Sequence, residues 1–190
     1  AAAAVGQDTD EREAAAELEA GCGRRGMFAP VLLAASERRM GLYRHPVPRG
    51  GSLGRRAMLV VCAERGGLYA NLTRILDFED PDPETARRQR ACGAILRRMR
   101  EEATLPGRTL AEALADCRRF YAEEGFPDGW KDHHQGGTTG YASREVVATP
   151  ETRGEIRAGQ AFAWNPSLRG AKAEETFVLT EAGPEILTGS

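Results

Sequence analysis

The sequence predicts an α+β fold. Helix-like and strand-like segments are grouped along the chain, a helix, then strands, then two helices, then strands, instead of alternating as βαβ units do. A Gly-Gly pair between two apolar runs marks an antiparallel hairpin, and no internal repeat points to a solenoid or propeller. The length of 190 residues suits one large domain that buries a core without disulfides or a structural metal.

Ala1 to Gln7 carries little pattern and is expected to be a disordered or linker end, leaving residues 8–190 as a single domain. Asp8 to Gly23 has acids in its first turn, Ala and Leu through its body and Gly at its end, the start and stop signals of a helix. Its small apolar face is expected to lie on a sheet. Phe28 to Ala35 and Ala57 to Ala63 are apolar runs of strand length, and Gly66-Gly67 turns the second into Leu68 to Leu76. Pro83 to Glu102 is amphipathic at helical spacing, and Thr109 with Glu112 has the spacing of a capping box for a further helix ending at Gly125. Gly136 to Tyr141, Ala161 to Trp164 and Thr176 to Thr180 then read as strands.

Composition excludes several function classes. With 26 Lys and Arg against 28 Asp and Glu, the formal charge of -2 creates no field that draws the chain to nucleic acid or an anionic membrane. The arginines of Arg87 to Arg100 are interleaved with acids and fit a solvated helix face. The longest apolar runs fall far below the roughly 20 residues that cross a bilayer. Cys22, Cys62, Cys92 and Cys117 have no zinc-type spacing, and no signal segment opens the chain, so a reducing cytoplasm is expected.

Only three histidines occur, His45, His133 and His134, each in a loop-like or glycine-rich setting. Four segments are distinctive: Asp132-His133-His134-Gln135-Gly136-Gly137-Thr138-Thr139-Gly140-Tyr141 with Arg144-Glu145 after it, Leu68 to Arg74, Gly159 to Pro166, and Ala173 to Thr180. In order and spacing they resemble the motif strands of the creatinase, methionine aminopeptidase and Xaa-Pro peptidase family, over nearly the whole chain. The resemblance implies the pita-bread fold, curved antiparallel sheets covered by helices, and a homodimer.

In metal-dependent members the resemblance implies two Asp, one His and two Glu holding a pair of divalent ions that activate water. Here the first Asp falls at or near Cys62, in a hairpin about two residues shorter than usual, and Asn71 stands for the second. The ligand His position is Gly137, or Thr138 if counted from His134; Asn165 takes the first Glu, and Glu174 alone remains a carboxylate. One carboxylate, two neutral amides and a thiol balance four positive charges poorly, so no dinuclear metal and no other cofactor are expected.

Other positions are retained. His45 lies seventeen residues before Cys62, where the resemblance implies a catalytic histidine; His133 falls at a second, substrate-facing histidine, and Arg144 at a third. Outside that register His45 reads as a loop histidine before proline, and Cys62 as a small buried hydrophobe. The expectation is a metal-independent hydrolase that acts on a C–N bond of a small amino-acid-like or peptide substrate. His45 and His133 would share the acid and base roles, and Glu174 would orient substrate or accept a proton. Arg144 or Arg74 would hold a carboxylate, with Asn71, Asn165 and Trp130 around the ligand. The alternative is a catalytically inactive pseudo-peptidase, a peptide- or protein-binding module, as in the family's metal-less histone-chaperone members.

Overall fold

A computed structural model describes residues 4–189. Of the stretch expected to be a disordered or linker end, residues 1–3 lie outside the described residues, and Val5 is partly buried against the cluster that contains Ala14, Ala34 and Leu53. The chain runs α1 (Glu11–Gly23), β1 (Phe28–Ser36), α2 (Glu37–Met40), β2 (Arg56–Arg65), β3 (Leu68–Asp77), α3 (Pro83–Arg98) and α4 (Leu110–Glu123). Seven shorter strands follow: β4 (Gly136–Thr139), β5 (Val146–Val147), β6 (Ala161–Trp164), β7 (Ser167–Leu168), β8 (Ala171–Lys172), β9 (Glu175–Thr180) and β10 (Gly183–Ile186). Helices and antiparallel strands are segregated, as an α+β fold requires.

The first sheet is β1-β2-β3, antiparallel throughout. Gly66 and Gly67 have φ of 62° and 84°, the double left-handed geometry of a tight hairpin turn that matches strand twist. Because side chains alternate along a strand, the sheet has two faces. One carries Ala34, Ala57 and Leu59 beneath α1. The other carries cross-strand rows, Val31 opposite Cys62 opposite Asn71, then Leu33 opposite Val60 opposite Thr73. That second face builds the site described below.

The second sheet has the order β10-β9-β6-β4-β5, and α3 and α4 cover it. Phe162, Trp164, Phe177 and Leu179 meet Ile95, Leu114, Phe120 and Tyr121 in the largest buried cluster. Thr109 and Glu112 form the expected reciprocal capping box, which stabilises the start of α4 by about 1 kcal/mol. The two sheets join where Thr73 bridges Glu174 and where Asn71 exchanges hydrogen bonds with the Thr176 hydroxyl.

Several boundaries differ from the sequence reading. α1 starts at Glu11 instead of Asp8, because the Asp10 carboxylate caps the helix by accepting from Arg12 N. The helix read through Glu102 leaves α geometry at Arg98 and continues as a π-type turn, Met99–Ala103, after which Thr104 bonds both Met99 O and the Trp164 indole. β4 stops at Thr139, two residues early, where the Thr139 hydroxyl turns to Ala142 O. β5, β7 and β8, of two residues each, are too short to leave an alternating pattern, and Pro184 speaks against a strand at β10, so these four have no counterpart in the sequence reading.

Candidate functional site

A cavity of about 180 Å³ opens between the two sheets. Its apolar wall is Val31, Leu33 and Val60, the cross-strand neighbours on the inner face of the first sheet, with Cys62 beside them. The opposite side presents Arg144, Asn165, Lys172 and Glu174, and His45 and His134 stand at the mouth.

Glu174 is 4% exposed and saturated. One carboxylate oxygen accepts from Arg144 at 2.9 Å; the other accepts from the Thr73 hydroxyl at 2.7 Å and lies 3.0 Å from Lys172 Nζ. Burial opposes its charge, but Lys172 and Arg144 more than offset that and hold its pKa down to about 2. The carboxylate expected to accept a proton is therefore ionised and committed at neutral pH. Glu175, one residue on, points away and ion-pairs Arg100.

Lys172 escaped the sequence reading. Its place is set by backbone: it ends β8, pairs with Ser167, and Gln89 both donates to its carbonyl and accepts from its amide. A signal was present, since Lys172 and Glu174 are two residues apart and fall on one side of an extended segment.

His45 sits in the loop after α2, held to the rest of the site by Arg44, which ion-pairs Asp132, and by its own Nε2, 2.9 Å from His133 Nε2. His133 also bonds the His134 carbonyl, and it is His134 that lines the cavity, in place of the His133 expected there. The chain leaves a short 3₁₀ turn (Gly129–Asp132) with His133 extended, which spends the His133 ring on these neighbours. Desolvation holds all three imidazoles neutral at pH 7, His133 at about 3 and His134 at about 4, with nearby Lys172 and Arg144 adding to it.

The positions of the implied metal ligands come together only in part. Cys62 and Asn71 pair directly across the β2–β3 hairpin. Burial, then the Glu174 charge, pushes the Cys62 thiol up to about 11. Asn71 donates to Thr139 Oγ1 and Ser143 O, and its side-chain carbonyl, like that of Asn165, is buried without a partner. Gly137 has φ of 154°, and a Cβ there would stand 1.9 Å from Val146 O, so no side chain fits. Thr138, the other register, accepts from Val146 N. Among the described residues, no group of three or more His, Cys, Asp and Glu is arranged to hold a metal.

Two expected ligand contacts lie elsewhere. Arg74 points to the opposite side of β3 from Thr73, donating to Thr188 O and Thr73 O, and Trp130 packs on the helical core under Arg118. Neither lines the cavity.

Residues 1–181 match the model of metallopeptidase family M24. No curated protein matches significantly. Among solved structures, the prolidase from Pyrococcus horikoshii superposes with a TM-score of 0.88 at 22% identity, covering 100% of this chain and 57% of that one. Dipeptidase PepE from Mycobacterium ulcerans gives 0.83 at 21% identity, over 100% of this chain and 53% of that one. The N-terminal domain of the FACT complex subunit SPT16 from Eremothecium gossypii gives 0.79 at 12% identity, over 96% and 50%. The chain thus shares the pita-bread fold and spans little more than half the length of these structures.

Proposed function

We propose that this chain, which belongs to metallopeptidase family M24, is a metal-independent domain of that hydrolase fold whose cavity recognises a small amino-acid-like or peptide ligand. The observation that carries this reading is the state of Glu174, the one carboxylate among the implied ligand positions: both of its oxygens face protein cations. A divalent ion would have to stand beside the charges of Lys172 and Arg144. The remaining positions offer it a protonated thiol, two amides and a glycine with no room for a side chain. That donor set does not fit a pair of hard divalent cations. The test is metal analysis of protein purified without added metal, with melting curves in chelator and in Mn, Co or Zn. No stoichiometric metal and no metal-dependent rise in Tm are expected; two ions per chain would overturn the proposal.

Hydrolysis of a C–N bond is the second reading. It is favoured by His45 and His134, neutral imidazoles that line the cavity, since His134, and His45 at its Nδ1, have a ring nitrogen that can receive a proton, a role that Glu174 is too strongly paired to take. Cleavage of small amides or dipeptides by chelator-treated protein, lost in His45→Ala and His134→Ala, would support it. Turnover that survives both substitutions would take these histidines out of the reaction, and no turnover by the unaltered chain would leave the non-catalytic pseudo-peptidase module as the better description. The homodimer implied by the family resemblance is tested by sedimentation velocity.

A further inference from the structure

We infer that Lys172 and Arg144 anchor the carboxylate of an amino-acid-sized ligand, whose N–H is received by Asn165 and whose aliphatic part lies on Val31, Leu33 and Val60. The inference rests on the reading of the cavity as a ligand site and names what that site takes.

The charges around the cavity do not balance. Lys172 and Arg144 bring two positive charges, and Glu174 is the one carboxylate among the residues that line the cavity. One surplus positive charge therefore remains in a pocket where Lys172 is 6% exposed. An uncompensated buried charge is costly, and a ligand carboxylate placed directly beside it offsets that cost. Donor capacity is left over as well. The Lys172 ammonium has three N–H groups and one carboxylate partner, and Arg144 Nε is buried with no acceptor.

A second, independent observation gives the ligand its other polar group. Asn165 is 2% exposed, and its side-chain oxygen has no donor in the protein. A buried carbonyl without a partner costs about 1–3 kcal/mol, so it awaits an N–H. An amino acid, or the C-terminal residue of a peptide, carries both the carboxylate and that N–H. Size agrees: about 180 Å³ is below the roughly 300 Å³ at which drug-sized sites begin, and is enough for one residue with an aliphatic side chain.

Calorimetric titration of the whole chain in chelator-containing buffer separates the elements, with leucine, glycyl-leucine, 4-methylpentanoate and leucinamide as probes. Leucine or glycyl-leucine is expected to bind at least about tenfold more tightly than leucinamide, which lacks the carboxylate. The stronger of those two identifies a free amino acid or a peptide terminus as the source. Lys172→Gln should remove the preference over leucinamide, and Asn165→Leu should weaken leucine without weakening 4-methylpentanoate. The comparison of probes on the unaltered protein stands even if a variant fails to fold. Leucinamide bound as tightly as leucine would overturn the inference and leave ligand recognition by the cavity intact. Failure of every carboxylate probe to bind would overturn it outright, whereas the metal analysis decides metal independence separately.

Discussion

Lys172 Nζ lies 3.0 Å from Glu174 Oε2, deep between two sheets, with Arg144 on the other carboxylate oxygen. Three charges packed in this way are expected to respond unequally to substitution. Glu174→Gln leaves two buried cations without a counter-ion and should cost about 3–5 kcal/mol, whereas Lys172→Met leaves a matched Arg144–Glu174 pair and should cost markedly less. Urea midpoints of the two variants check this; equal midpoints would refute the account of the triad.

Acidification should destabilise the chain in two stages. The histidine pKa values are lowered in the fold, His133 to about 3 and His134 to about 4, so the unfolded chain takes up protons first as pH falls below the ordinary 6.5. Their contribution is present above that pH and declines on the way down. Glu174 follows: its pKa of about 2 is depressed from 4.5, so its contribution declines between those values. Melting temperature against pH should therefore fall from about pH 6.5, and a variant with His45, His133 and His134 all replaced by Ala should lose the upper stage.

Gly137 is expected to tolerate no side chain. Gly137→Ala forces a Cβ to 1.9 Å from Val146 O at a φ of 154°, and should cost more than about 2 kcal/mol by moving β5. Gly137→His should therefore fail to supply an imidazole ligand. A melting temperature for Gly137→Ala equal to that of the unaltered chain would contradict the close packing of β4 on β5.

The cysteines should be slow to react in the native state. All four are free and buried, and burial raises the thiols of Cys62 to about 11 and Cys92 to about 12. A thiol-reactive reporter at neutral pH should label them only as the chain unfolds; rapid native labelling of Cys62 would show that the cavity admits reagent and lowers its pKa.

Local elements of this protein were legible in its residues because each depends on near neighbours. Gly66-Gly67 specifies its own turn, Thr109 and Glu112 cap their own helix, and the apolar runs of β2 and β3 alternate in place. The order of four motif segments made the fold family readable as well. Short strands such as β5 and β8 were not, since two residues carry no period.

Sequence by itself also determined which chemical groups stand at the positions where the family resemblance implies metal ligands: a thiol, two amides, a glycine or threonine and one carboxylate. Only the tertiary structure decided what surrounds them. Arg144, Lys172 and Thr73 come from separate segments and meet at Glu174 because the two sheets join at that point. Alternation along β3 puts Arg74 on the face opposite Thr73, and His134 lines the cavity that His133 was expected to line. Charge and burial act through space over a few ångströms, and such distances between remote residues are set by how sheets pack, which the spacing of residues along the chain does not encode.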